Sequence, residues 1–149
     1  MSAIASTPAY LPVAVVRREI DRFLEAARKR SEHDDHQRRR ARRRHHRSWP
    51  LLVSLSGKPY DIDISAALHD ASSLGIGFLS PIQLLAGSVV YLKLFCYDDF
   101  CPRVPALVRH VTQTEHGFLV GCEYDLANEK ACSRAVELGR HSRPCCAED

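Results

Sequence analysis

The sequence predicts a mainly β fold, a six-stranded antiparallel barrel with one helix added at its N-terminal side and another at its C-terminal side. Between residues 51 and 124, six short segments carry apolar residues in strand-like patterns, and polar or Gly- and Pro-containing turns separate them. This pattern indicates an antiparallel barrel or sandwich, of which the barrel is the prediction. On either side of this region, apolar residues recur at intervals of three and four, which is the spacing of an amphipathic helix. The 149 residues are enough for one domain of ordinary size and too few for two sizeable ones.

The N-terminal helix is predicted to begin at Val13. One side of it carries an apolar stripe, which comprises Val13, Val16, Ile20, Phe23, Leu24 and Ala27. The polar residues 31–37 are expected to end the helix, so that residues 1–37 form an N-terminal extension. We expect the stripe to pack on the chain's own barrel or to pair with a second copy in a homo-oligomer. Membrane insertion is not expected, because the polar face mixes acids with bases.

The predicted strands and the second helix lie in a barrel domain, residues 38–139. The strand segments are 51–55, 60–66, 75–80, 88–97, 103–112 and 116–124. Asp125 is the expected cap of the second helix, because a carboxylate accepts hydrogen bonds from the free N–H groups of a first turn. Gly139 is the expected stop of that helix, and residues 140–149 are expected to form a frayed tail.

Composition excludes several classes of protein. With 45% apolar and 26% charged residues, the chain is neither wholly disordered nor a collagen-like or coiled-coil rod. No apolar run approaches the ~20 residues that cross a bilayer. Residues 1–16 lack the basic start of a secretory signal, which predicts a cytoplasmic protein. The six cysteines are therefore expected to be reduced, and their spacing fits no standard zinc pattern.

Positive charge is concentrated in one Arg-rich segment, residues 38–47. This segment contains seven Arg and no acid, while the whole chain has a formal net charge of +3. Removing these seven charges leaves −4 for the rest of the chain. An anionic partner is therefore expected at one place and not over a broad surface.

Two short motifs carry the candidate chemistry. Arg43 and Arg47 form an R-x-x-x-R motif directly before the first strand, and Asp70, Ser72 and Gly75 form a D-x-S-x-x-G motif at the entrance to the third. Twenty-two residues separate Arg47 from Asp70, which is room for two strands and one turn. We therefore expect the two motifs to lie side by side at one end of the barrel.

The residue types in these motifs suit a guanine nucleotide with phosphates. The planar guanidinium of Arg binds two acceptors together, such as guanine O6 and N7 or two phosphate oxygens, and it also stacks on a base. An ionised Asp only accepts hydrogen bonds, so it matches the N1–H and exocyclic amine of guanine. A Ser hydroxyl bridges a base edge or a phosphate. Gly either lets the backbone approach a ligand or adopts a positive φ.

In this order and with this gap, the two motifs resemble those of the PilZ domain family, whose members are receptors for the bacterial second messenger cyclic di-GMP. The resemblance covers residues 38–139 and implies a PilZ-type barrel. It implies that Arg43 and Arg47 bind guanine edges and phosphates. It further implies that Asp70 and Ser72 read a guanine edge.

The resemblance assigns three further positions. Gly75 shapes the loop of the second motif. Arg42, directly before R-x-x-x-R, favours two stacked cyclic di-GMP molecules per chain. Arg109, on the penultimate strand, is the candidate for stacking on a guanine.

These assignments imply a bacterial cytoplasmic receptor or adaptor and not an enzyme. Cyclic di-GMP is the expected ligand, and no metal or other cofactor is expected. We expect the ligand to order the Arg-rich segment over the barrel, which creates a surface for an unidentified downstream protein in the control of motility or biofilm formation. Nothing in the sequence places a base beside Ser72, and no nucleophile-elbow or metal motif is present.

Other interpretations remain open at this stage. An RNA- or DNA-binding protein would use the Arg-rich segment on phosphates, with an affinity that falls steeply as salt rises. Alternatively, the segment is only a solvated arm, and residues 70–75 are only a capped turn. Trp49 is expected to pack over the barrel end, the alternative being that it faces a base.

Overall fold

The computed structural model describes residues 11–41, 49–59 and 61–140, and in the first helix it describes side chains up to Arg30. Two helices flank six strands. They are α1 (Pro12–Ala41), β1 (Pro50–Ser54), β2 (Asp63–Ala71), β3 (Gly75–Ser80), β4 (Val89–Lys93), β5 (Val104–Thr114), β6 (Gly117–Tyr124) and α2 (Glu129–Arg140).

The six strands form a closed antiparallel barrel, which confirms the predicted fold. The strand order is β1-β2-β3-β6-β5-β4, and pairing of β4 with β1 closes the barrel. Alternate residues point inward, because successive side chains of a strand lie on opposite faces. The interior is filled by buried apolar side chains, among them Leu51, Val53, Ile76, Phe78, Val90, Leu92, Val104, Val108 and Val120.

The strand boundaries differ most from the predicted ones in β2 and β4, and β2 also ends at Ala71, five residues beyond its predicted end. β2 begins at Asp63, and not near residue 60, because Asp61 is held in the preceding turn. Its carboxylate accepts hydrogen bonds from the Ser56 hydroxyl and from the N–H of Ile62. β4 ends at Lys93 instead of continuing to residue 97, and the chain then forms a loop to β5.

Helix α1 packs on the chain's own barrel and on α2 through the predicted apolar stripe. Val16 and Ile20 are buried, and Phe23 contacts two other aromatic rings. The Phe23 and Trp49 ring centroids are 5.2 Å apart, and Phe95 lies 5.9 Å from Trp49 and 6.2 Å from Phe23, all edge-on. Trp49 thus packs between α1 and the barrel, as expected, and its Nε1 donates a hydrogen bond to the Leu94 carbonyl at 2.8 Å.

The predicted end of α1 within residues 31–37 is wrong. The helix continues to Ala41 and therefore crosses residue 37, where the sequence placed the end of the N-terminal extension. Residues 31–41 contain no Gly or Pro, and Arg, Gln, Glu and Ala are good helix formers. A helix can continue after its apolar stripe has ended. Residues 38–41, the first of the Arg-rich segment, are accordingly helical.

Helix α2 begins later than predicted, and its cap is a different residue. Asn128, and not Asp125, caps it, because the Asn128 side-chain oxygen accepts a hydrogen bond from the N–H of Ala131 at 3.0 Å. Asp125 lies in the turn after β6, where its N–H donates to the Pro105 carbonyl. Either side chain can cap a helix, so composition alone does not distinguish the two positions.

Gly139 lies inside the last turn of α2 and does not follow the helix as predicted. Its role is close packing, because a Cβ at this position would lie 2.6 Å from the Cys101 carbonyl oxygen. Within the part of the chain that the structure describes, neither helix is long and apolar enough to span a membrane.

Candidate ligand-binding cleft

A cleft of about 360 Å³ lies on the outer wall of the barrel across strands β2, β3, β6 and β5. Its volume is within the ~300–1,000 Å³ range of small-molecule sites. Four of the sequence-predicted site residues line it, namely Asp70, Ser72, Gly75 and Arg109. The structure therefore brings the whole D-x-S-x-x-G motif together with the candidate residue of the penultimate strand.

One row of paired residues crosses the cleft. Asp70 pairs with Gly77, Gly77 with Gly121, and Gly121 with His110. Neighbouring strands are ~4.8 Å apart, so this row spans about 14 Å from Asp70 to His110. Directly paired residues share a face of the sheet, and this face is the outer one because Ile76, Phe78 and Val120 point into the barrel.

The two glycines make room for the side chains at the ends of the row. A Cβ built on Gly77 would lie 2.5 Å from Oδ1 of Asp70, and a Cβ built on Gly121 would lie 2.5 Å from Nε2 of His110. The Asp70 carboxylate therefore leans over Gly77, and the His110 ring leans over Gly121. Two polar groups face each other across a glycine pair.

The turn between β2 and β3 is held by Ser72. Its N–H donates to the Gly75 carbonyl at 2.9 Å, and its hydroxyl oxygen accepts hydrogen bonds from the N–H groups of Leu74 at 3.1 Å and Gly75 at 3.3 Å. A hydroxyl has two acceptor positions and one proton. Both acceptor positions are used by the turn, and the hydroxyl donates to the Gly75 carbonyl over a long 3.5 Å. A ligand acceptor that comes closer could take that proton instead.

Gly75 does not have a positive φ, which was one of the two predicted reasons for a glycine at this position. The described glycines with a positive φ are Gly57, Gly87 and Gly117. A Cβ on Gly75 would instead collide with the Cys122 carbonyl oxygen on the paired strand β6. Glycine is required at this position by the close approach of two backbones.

Arg109 lies in an irregularity of β5. The pairing of β5 with β6 shifts between Val108 and His110, so Arg109 is the extra residue of a β-bulge. Its side chain is 58% exposed, and its Nε lies 3.4 Å from Oε1 of Glu123. The guanidinium is therefore at the surface of the cleft and has a carboxylate beside it.

Cys122 lines the cleft, but its side chain is buried on the inner face of β6, because its paired residue Ile76 points into the barrel. Burial raises the pKa of its thiol to about 12. The thiolate is the nucleophilic form of cysteine, so a thiol kept protonated at neutral pH is inert. The described cysteines are all buried, namely Cys96, Cys101, Cys122 and Cys132.

Arg42, Arg43 and Arg47 lie outside the described residues. The described chain resumes at Trp49, whose carbonyl accepts a hydrogen bond from the N–H of Leu68 at 2.9 Å. Leu68 is on β2, two residues before Asp70. The point at which the chain emerges from the Arg-rich segment is thus next to the strand that carries Asp70.

Sequence reasoning chose Arg109 on the penultimate strand and not its neighbour His110, and it missed Gly77 and Gly121. Two glycines inside predicted strands were the available signal, because a glycine in a strand often marks a close approach of another group. His110 had no such signal. Strict alternation from the buried Val108 would point it inward, and only the bulge at Arg109 turns it to the outer face.

The opposite end of β2 carries a different polar feature. Arg103 donates to both carboxylate oxygens of Asp63, at 3.0 and 2.8 Å, and the Arg103 side chain is buried. This pair connects β2 with the residue that precedes β5, and both oxygens of the Asp63 carboxylate are hydrogen-bonded. Among the described residues, no group of three or more His, Cys, Asp or Glu is arranged to hold a metal ion.

The six strands thus form a closed β-barrel domain with a cleft on its outer wall. A model of the PilZ domain family matches residues 37–138, more than half of the chain, and the chain therefore belongs to the PilZ family. PilZ domains are binding domains, and the family is one of cyclic di-GMP receptors. A search of curated proteins returned no match.

Proposed function

We propose that this chain is a bacterial cytoplasmic receptor for cyclic di-GMP, which binds in the outer cleft beneath the Arg-rich segment. The observation that carries the proposal is the hydrogen bond between Trp49 and Leu68, because it anchors the exit of that segment beside the cleft. In this proposal Asp70 and Ser72 read a guanine edge, and Arg43 and Arg47 hold guanine and phosphates.

Chain geometry supports this assignment. Two residues of extended chain span at most about 7 Å, so the Cα of Arg47 is within about 7 Å of the Cα of Trp49. The same limit applies between Leu68 and Asp70. An Arg side chain adds further reach, so Arg47 and Asp70 can contact one ligand.

The charges around the cleft also support the proposal that the Arg-rich segment takes part in binding. Cyclic di-GMP carries two phosphates and is a dianion. Among the described residues that line the cleft, Arg109 is the one with a permanent positive charge, and Glu123 lies beside it. Asp70 adds a negative charge. Phosphate binding therefore requires cations from elsewhere, and the Arg-rich segment is the nearest source along the chain.

Both ends of the undescribed residues 42–48 are attached to the same structural unit. The N-terminal end continues from α1, and the C-terminal end continues into Trp49, which contacts Phe23 of α1. Arg30 of α1 also lies over the Trp49 ring at 5.2 Å. We propose that ligand binding orders the segment and alters this region of α1, that a downstream protein reads the change, and that the controlled process is motility or biofilm formation.

The first test is calorimetry of the full chain with cyclic di-GMP. We expect two ligands per chain, as Arg42 implies, and no comparable binding of cyclic di-AMP. Arg47→Ala and Asp70→Ala should each weaken binding by about 10-fold to 150-fold, the effect of losing a hydrogen bond to a charged group. Their matched controls, Arg18→Ala and Asp21→Ala on the exposed surface of α1, should bind as the unaltered chain does.

Retention of tight binding by both variants would contradict the proposed site. If the chain binds neither dinucleotide and binds duplex DNA with an affinity that falls steeply as salt rises, the nucleic-acid interpretation would be favoured instead. Far-UV circular dichroism of each variant establishes that the barrel is intact.

A further inference from the structure

We propose that His110 determines base specificity in the cleft by donating a ring N–H to guanine O6, while Asp70 accepts from the N1–H and the amine of the same base. This inference rests on the proposed function and deepens it. His110 lies outside both sequence motifs, and it enters the site only through the fold.

The separation of the two side chains fits one base edge. Gly77 and Gly121 are directly paired, and paired residues have Cβ positions ~4.5–5.5 Å apart. Oδ1 of Asp70 and Nε2 of His110 each lie 2.5 Å from one of these positions. The two polar atoms are therefore no more than about 10 Å apart. Two hydrogen bonds of about 2.9 Å to adjacent groups of a base edge fit within this limit.

The chemistry of the pair matches guanine and conflicts with adenine. Guanine presents its N1–H and amine as donors, with the O6 acceptor next to them on the same edge. A carboxylate only accepts and an imidazole always has at least one N–H, so the two side chains complement this order. Adenine presents an acceptor at N1 toward the carboxylate and an amine donor toward the imidazole N–H, which leaves polar groups unmatched.

The glycine pair fixes this arrangement. Side chains larger than hydrogen at Gly77 or Gly121 would occupy the positions into which the carboxylate and the ring lean. His110 and Asp70 would then point away from each other. Gly121, on the neighbouring strand β6, thus leaves the space that the His110 ring occupies.

The test compares His110→Phe, which keeps an aromatic ring without an N–H, with His110→Asn, which restores a donor. Each variant is titrated with cyclic di-GMP and with cyclic di-IMP, which has the O6 and N1–H of guanine but lacks the amine. We expect His110→Phe to weaken binding of both ligands equally, by about 10-fold. His110→Asn should recover part of this loss. The matched control is His116→Phe, since His116 is 81% exposed in the turn between β5 and β6.

Asp70→Asn provides the contrasting result. Asp70 is proposed to accept a hydrogen bond from the guanine amine, which cyclic di-IMP lacks. Asp70→Asn should therefore reduce the preference for cyclic di-GMP over cyclic di-IMP, whereas His110→Phe should leave that preference unchanged. Unchanged affinity in His110→Phe, or equal losses in His110→Phe and His110→Asn, would overturn the role of His110. Those results leave the proposed function intact. An unaltered chain that binds neither ligand would overturn the proposed function, and this inference with it.

Discussion

Gly75 and Gly77 are two residues apart on β3, yet a methyl group at each would meet different neighbours. At Gly75 it would strike the carbonyl oxygen of Cys122, which belongs to the backbone of the paired strand. At Gly77 it would meet Oδ1 of Asp70, which is the end of a side chain that is 73% exposed and can move aside. The first glycine therefore maintains the barrel, and the second shapes the cleft.

Alanine substitutions should separate these two roles. Gly75→Ala should lower the free energy of unfolding by about 1–3 kcal/mol, the usual cost of forcing extra volume into a packed site. Gly77→Ala should unfold at nearly the same denaturant concentration as the unaltered chain but bind cyclic di-GMP more weakly, because it displaces the Asp70 carboxylate. Chemical denaturation and calorimetry measure both quantities. The reverse pattern, a destabilised Gly77→Ala and a stable Gly75→Ala, would contradict this account.

At the scale of elements, contacts of Arg22 and Phe23 add to the buried apolar stripe that holds α1 in place. Arg22 donates to both carboxylate oxygens of the buried Glu19, at 3.1 and 3.0 Å, and to Asp98 of the loop after β4 at 3.1 Å. Its guanidinium also lies 3.9 Å from the centroid of the Phe95 ring. Phe23 is fully buried next to these groups. The helix is therefore part of the folded unit.

Removal of the Phe23 ring should uncouple α1 from the barrel. Phe23→Ala should lower the free energy of unfolding by about 3–5 kcal/mol, as for other buried Phe residues. The chain contains a single Trp, and its ring contacts Phe23, so its fluorescence should shift to longer wavelength as water reaches Trp49. Tyr97→Ala, at an 83% exposed position, is the control and should change neither quantity. A Phe23→Ala variant with unchanged emission and stability would show that α1 is not docked as described.

The sequence was a good guide to the existence of elements and a poor one to their ends. All six strands and both helices are present, because alternation and three-four spacing reflect which faces are buried. The ends depend on local contacts that patterning does not contain. Asn128 and Asp125 are equally capable caps, and Asp61 delays the start of β2 through hydrogen bonds that form only in the folded turn.

At the scale of the whole molecule, the two ends of β2 serve different purposes. Asp63 and Asp70 are seven residues apart, or about 23 Å along an extended strand. Asp63 forms a bidentate pair with the buried Arg103, whereas Asp70 is exposed in the cleft. One end of β2 is thus held by a structural ion pair, and the other end carries Asp70 of the candidate site.

Whether a site residue could be predicted depends on whether it is close in sequence to the others or is brought to them by the complete fold. Asp70, Ser72 and Gly75 are close in sequence, so a motif identifies them together. His110 reaches the cleft only because β5 contains a bulge and because β5, β6, β3 and β2 are neighbours in the closed barrel. Strand order and bulges are consequences of the complete fold, so no local pattern placed His110 opposite Asp70.

Mapping of backbone amide shifts in the ¹⁵N-labelled full chain during titration with cyclic di-GMP tests the central claim most directly. We predict that the largest changes fall on Asp70, Gly77, His110 and Gly121, with little change when cyclic di-AMP is added at the same concentration. A second groove lies between α2 and the turn after β1, where Gly57, Tyr91 and Arg134 line it. Changes centred on that groove, with Asp70, Gly77, His110 and Gly121 unmoved, would contradict the proposed site.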